Sequence, residues 1–347
     1  MTRTLGLRHA LAPSVLVLSG LLTGCTATPE EPQAEPDASA AAGTTTRTAE
    51  RLMQVTDVHE GTGMTLLEGP TFGPDGALYV VDVTAPPGAG KVLRIDVDTQ
   101  DVKTVYTDET GVLTSAQFSP SDGRLYVTDF LSGSIRSMTA DGQDVRDEFA
   151  GEVGGTPMQP DDISFDEDGN LYITDAAGAR NPYWDASGRL IRIDVITGSA
   201  TVLAEELESP NGIGFTPDDS ALWISLNTGN RIDHLTLSED GTEVSTAFPA
   251  IYASAGMGQL DSIAVDADGN LYVGLHSRPE ILVYDTTGHL LTTISVPGGD
   301  EAGLSSATNV AIKPGTTEAY ATISGDAGGF IYSFDAFAEG IRQSNGG

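Results

Sequence analysis

Six polar residues recur along the chain, at Glu68, Thr114, Asp161, Asn211, Asp261 and Thr308, with successive spacings of 46, 47, 50, 50 and 47 residues. Each stands four residues ahead of an apolar or aromatic residue (Phe72, Phe118, Phe165, Phe215, Val265, Ile312) that leads through a turn into a second apolar run. If every copy occupies the same place in its own unit, three carboxylates and an amide converge. Carboxylates gathered without a partner raise one another's free energy, so such a ring must be solvated, protonated or filled by a hard cation. Glu, Asp and Asn offer oxygen, and no His or Cys holds any of the six positions, which argues against zinc or copper.

The elements that must position these residues follow from the same period. A repeat of nearly fifty residues is the interval of a blade-by-blade array, and six copies predict an all-β, six-bladed β-propeller, in which equivalent positions face one central axis. Within the third unit, residues 161–165 read as an inner strand, residues 166–170 as a turn and residues 171–174 as a second strand. Outer strands follow at 189–194 and 199–204. The turns contain the Asp, Gly, Asn and Ser that such dihedrals favour. Starting an EF-hand loop at Asp166 or Asp266 puts Ala177 or Ser277 at the position that needs a bidentate Glu, so these are hairpin turns and not calcium loops. Residues 53–59 are expected to supply the missing outer strand of the last blade and close the ring.

The chain has 347 residues, 39% apolar, with 41 glycines and 18 prolines, as many short strands with tight turns require. Fifty acidic residues against 17 basic ones give a net charge of −33, which repels nucleic acid and anionic lipid surfaces. The N-terminal stretch reads differently. Arg3, Arg8 and His9 precede an apolar run over residues 11–22, too short to cross a bilayer and of the right size for a signal-peptide core. It ends in Leu22-Thr23-Gly24-Cys25, which resembles the bacterial lipobox, so residues 1–24 are expected to be a lipoprotein signal peptide and Cys25 the lipidated residue. Residues 25–50, rich in Ala, Thr, Pro and Glu, are expected to be a disordered tether, and residues 51–347 the propeller. The expected location is the outer face of the cell membrane, touched only through the lipid anchor. Cys25 is the sole cysteine, which excludes an internal disulfide.

At the repeat positions the chain resembles the calcium-dependent lactonases of the regucalcin, gluconolactonase and luciferin-regenerating-enzyme (SMP-30-like) group, most of all the drug-responsive bacterial lactonases. The matching strings are Leu67-Glu68-Gly69, Asp161-Asp162-Ile163, Pro210-Asn211-Gly212 and Asp261-Ser262-Ile263, in register over about residues 51–340. The resemblance implies one divalent ion, usually calcium, near one mouth of the channel. Its ligands would be Glu68, Asp161, Asn211 and Asp261, with Ser262 adjacent, and calcium's six to eight oxygens leave room for water and substrate. It also implies hydrolysis of a small lactone, with the ion polarising the carbonyl and Asp261 handling protons. The bacterial subgroup has a second ion, held by a loop and by the segment ahead of Asp161. Here Val153 and Met158 stand where oxygen ligands are expected, so no second ion is expected there.

No Gly-x-Ser-x-Gly elbow is present, and the histidines pair with no register serine. His276 reads as a strand-end residue, and Tyr183 and Trp184 as the wall of a pocket or a packed edge cluster. Two rival readings are a non-catalytic cell-surface binding propeller with a structural calcium, and a quinone-cofactor dehydrogenase, for which the basic and His groups are lacking. The acidic surface and tether suggest a monomer.

Overall fold

The computed structural model describes residues 45–342, and Cys25, the signal peptide and the tether up to residue 44 lie outside the described residues. The described chain is all β-strand and turn, with no helix. Four sheets are four-stranded and antiparallel. A nine-stranded sheet contains two more antiparallel runs, joined where Leu275 of strand Leu271–Leu275 pairs with Ala307 of strand Ser306–Ile312. Six strands carry the repeat: Leu67–Phe72, Leu113–Phe118, Pro160–Phe165, Pro210–Phe215, Leu260–Val265 and Ser306–Ile312. Each packs against the next and the last against the first, the closed succession of a β-propeller.

The apolar residue four places after each register position has a definite partner. Tyr79 meets Phe118 edge-on at 5.0 Å between ring centres, Tyr126 meets Phe165 at 5.1 Å, Tyr172 meets Phe215 at 5.1 Å and Tyr320 meets Phe72 at 5.6 Å. In each case the second strand of one unit packs on the inner strand of the next, and Tyr320 carries the pattern from the last unit back to the first. Trp223 with Val265 and Tyr272 with Ile312 share the remaining cores. Edge-on pairs of this kind contribute about 0.5–1.5 kcal/mol each beyond the area they bury.

Every one of the six inner strands shifts register just after its polar position, between Glu68 and Thr71, Leu113 and Ser115, Pro160 and Ile163, Pro210 and Ile213, Leu260 and Ile263, and Ala307 and Val310. A bulge breaks strict alternation, so two consecutive side chains can reach the same side of a strand. Gly69 and Gly212 allow the close approach this requires. A Cβ at Gly69 would lie 2.5 Å from the Ala116 nitrogen, and one at Gly212 would lie 2.5 Å from the Ile263 nitrogen.

Closure joins both ends of the domain, through strand Glu50–Thr56, which pairs antiparallel with Gly328–Asp335. Residues ahead of Arg51 also join the sheet. Strand Thr45–Thr48 pairs in parallel with Leu290–Ser295, Ala49 is buried and donates to Ser295 O at 2.9 Å, and the Arg47 guanidinium stacks 4.0 Å from the Phe337 ring. Strand pairing needs only backbone groups and a free edge, so a segment of low hydrophobicity can take part in it. A chain starting at Arg51 should therefore be less stable than one starting at Thr45, by about 3 kcal/mol if each lost hydrogen bond is worth about 1 kcal/mol. Equal urea midpoints for the two chains would show that the first strand contributes nothing.

Candidate metal centre and cavity

Two of the six register residues serve the fold. Thr114 Oγ1 donates to the carbonyls of Pro160 and Asp161, both at 3.2 Å, and Thr308 Oγ1 donates to Leu67 O at 2.6 Å, so each hydroxyl ties its strand to the following one. Thr128 and Thr174 add similar ties from second strands, Thr128 to Asp161 O at 2.9 Å and Thr174 to Asn211 O. A β-branched hydroxyl satisfies a backbone carbonyl that the bulge has left without a ladder partner.

The other four register residues form the charged centre. Glu68, Asp161 and Asn211 line a cavity of about 790 Å³ with His276, Gln159, Asn227 and Gln259. Asn211 Nδ2 donates to Asp161 Oδ2 at 3.0 Å, while the Asn211 side-chain Oδ1 is buried with no hydrogen-bond partner. Asp261 is 1% exposed and meets His276 Nδ1 through Oδ2 at 3.3 Å. Ser262 is also buried and lies beside Asp162.

Burial and mutual repulsion govern the electrostatics. Burial first, then the charges of Asp261, Asp161 and Asp162, push the Glu68 carboxyl well above the usual carboxylate range. Burial, then Asp261, raises Asp161 to about 7, with His276 opposing. Asp162 is also raised well above its ordinary value, by burial and then by Asp161. The Asp261 carboxylate, as hydrogen-bond partner and then as a charge, holds the His276 imidazole above its ordinary value. Among the described residues no three His, Cys, Asp or Glu side chains converge as a ready-made metal cage. A cation here would be met by carboxylates from separate strands and by the unpartnered Asn211 oxygen. Hard oxygen donors, negative charge in excess and an orphaned amide carbonyl fit calcium.

The structure thus brings Glu68, Asp161, Asn211 and Asp261 to one centre and sets Ser262 below it. His276 had read as a strand-end residue, yet it bridges Asp261 and the cavity. It does stand at the strand end, one residue past Leu271–Leu275, and that position gave no signal that the ring would turn back to Asp261. Tyr183 and Trp184 meet edge-on, 5.1 Å between ring centres and 63% and 75% exposed, while their loop lines the cavity with Gly178, Ala179, Arg180 and Asn181. At the segment ahead of Asp161, Arg189 donates to Val153 O at 2.7 Å and to Thr156 O and Pro157 O at 3.3 Å. Those carbonyls already have a cationic partner.

Comparison with known proteins agrees with the architecture. Lactonase drp35 of Staphylococcus haemolyticus is 30% identical over 306 residues, covering 85% of this chain and 89% of that protein. Lactonase drp35 of Staphylococcus aureus strain MRSA252 is 28% identical over 286 residues, covering 80% and 85%. Among solved structures, a luciferin-regenerating enzyme superposes with a TM-score of 0.68 at 18% identity, covering 86% of this chain and 98% of that one. A calcium-binding regucalcin of Agrobacterium tumefaciens gives 0.67 at 15% identity, covering 86% and 98%. At such identities the structures speak for the fold alone. The model of the SMP-30/gluconolactonase/LRE-like region matches residues 66–307, and with the relatives above this places the chain in that family.

Proposed function

We propose that this protein is a calcium-dependent lactone hydrolase on a six-bladed propeller. The observation that carries the reading is the buried meeting of Glu68, Asp161, Asn211 and Asp261 at the floor of a cavity large enough for a small cyclic ester. The two runs of the nine-stranded sheet count as two blades beside the four separate sheets, which gives one blade per register residue. The names of the relatives, lactonase and gluconolactonase, support the reaction class. The expected lipoprotein anchor at Cys25 would place the enzyme on the outer face of the membrane as a monomer.

Glu68, Asp161, Asn211 and Asp261 would hold the ion, with water or substrate completing the shell, and Ser262 supports the floor beneath. When bound, calcium polarises the lactone carbonyl and offsets the negative charge that develops on its oxygen. Asp261 accepts a proton from the attacking water as oxygen bonds to the carbonyl carbon. The ring C–O bond then breaks, and the proton passes to the departing alkoxide, leaving a hydroxy acid. His276 fixes the Asp261 carboxylate and, being half-exposed on the cavity, connects it to solvent. Asn211 orients Asp161 through its amide hydrogen bond.

Ring opening across a panel of sugar, aryl and acyl-homoserine lactones should depend on calcium and stop with a chelator. Asp261→Ala should lower kcat/KM by roughly a thousandfold or more, and His276→Gln should lower kcat by about ten- to a hundredfold with bound calcium unchanged. Tight calcium binding with no turnover on any lactone would favour a surface binding propeller with a structural ion. The carboxylates make a second prediction. The pKa values of Glu68 and Asp161 in the folded, metal-free protein are raised, so the stability they contribute is complete below the unfolded carboxylate range and is lost as pH rises through the raised values, about 7 for Asp161. Calcium should therefore raise Tm more at about pH 8 than at about pH 5, and Asp161→Asn should narrow that difference. An equal calcium effect at both pH values would contradict the repulsion described above.

A further inference from the structure

Below the mouth of the channel lies a second set of buried oxygens that the proposed reaction does not use. Because of the bulges, Asp162 follows Asp161 toward the axis and Ser115 follows Thr114. Asp162 lies beside Ser115, from the neighbouring inner strand, and beside Ser262, from an inner strand two units away, so these side chains meet near the centre. Two residues further along the same strands, on the face opposite the core residues Phe118 and Phe165, are Gln117 and Ser164. Ser115, Gln117, Asp162 and Ser164 are each at most 1% exposed. Even so, Asp162 Oδ2, Ser164 Oγ and both amide atoms of Gln117 have no hydrogen-bond partner.

Leaving one such group unpaired costs about 1–3 kcal/mol, and gathering several on one axis multiplies that cost. The arrangement is also one-sided. The set offers a carboxylate, three hydroxyls and an amide oxygen, all hard donors.

We infer that the channel holds a second divalent cation of the calcium type below the first, bound by Asp162 with oxygens from Ser115, Ser262, Gln117 and Ser164. The donor number suits calcium, which takes six to eight oxygens in flexible geometry, better than magnesium, which keeps its waters. Drawing ligands from separate inner strands, the ion would fasten the units together at the axis. The site is separate from the loop segment at residues 152–157, whose carbonyls Arg189 already engages.

The test is metal content of the full chain, by mass spectrometry after dialysis against buffered calcium, together with thermal unfolding. It needs no substrate and so stands apart from the lactonase reading. The wild-type chain should hold about two calcium ions, and Glu68→Gln and Asp162→Asn about one each. Asp162→Asn should also lose part of the calcium-dependent rise in Tm. Should that variant fail to fold, Gln117→Leu and Ser115→Ala should each weaken the second ion by about tenfold while leaving the first in place. One ion, lost in Glu68→Gln and kept in Asp162→Asn, would overturn the deeper site and leave the mouth site standing. A second ion that these variants do not weaken would overturn it too, since that ion must bind elsewhere. No bound calcium in the wild type would overturn both.

Discussion

Four carboxylates share the buried axis of this molecule, and the cost of keeping them there organises much of the rest. Charged groups of one sign, removed from water, repel strongly and turn to protons or cations for relief. The raised affinities of Glu68, Asp161 and Asp162 for protons express that cost in the absence of a cation. A scaffold that holds such groups against repulsion must be stiff. The stiffness comes from elsewhere: edge-on aromatic pairs between successive units, threonine hydroxyls that tie one inner strand to the next, and a last sheet closed by strand Glu50–Thr56. Function and stability therefore draw in opposite directions at the axis and are reconciled by the ring around it.

The six bulges link the two. In a regular inner strand alternate residues face the axis, and a single carboxylate per strand would be the rule. The register shift after Asp161 and after Asp261 gives each strand two consecutive functional side chains, one at the mouth and one below it. The same shift leaves backbone carbonyls without ladder partners, and Thr114, Thr128, Thr174 and Thr308 answer them. Polar residues that look like candidates for chemistry are thus divided by geometry: the carboxylates and the amide serve the centre, the threonines serve the backbone.

His276 and Asp261 show how a weak pair at the rim can matter. Their separation of 3.3 Å is long for a charge-assisted bond, but one partner is buried and the other half-exposed, so the pair links the centre to the solvent-facing rim. Arg136 and Arg189 are engaged in structure: Arg136 holds Asp108 and Asp129, and Arg189 holds Asp175 and the carbonyls of a neighbouring hairpin.

Much of this was legible in the chain itself. The spacing of Glu68, Asp161, Asn211 and Asp261 and the aromatic residue four places later are local, periodic signals. They reveal the β-propeller architecture and the oxygen-rich centre because every unit repeats the same covalent pattern and the axis does the rest. The sequence also argues against thiol chemistry and nucleic-acid binding through its single cysteine and its charge. Tertiary structure alone decided which side chains meet across units. The turn of His276 onto Asp261, the contact of Asp162 with Ser262, the division of labour between Thr114 and Asp161, and the pairing of residues 45–48 with a strand more than two hundred residues away all depend on bulges and on long-range packing. No local pattern encodes these, since a register shift costs one residue of alternation and changes no residue type.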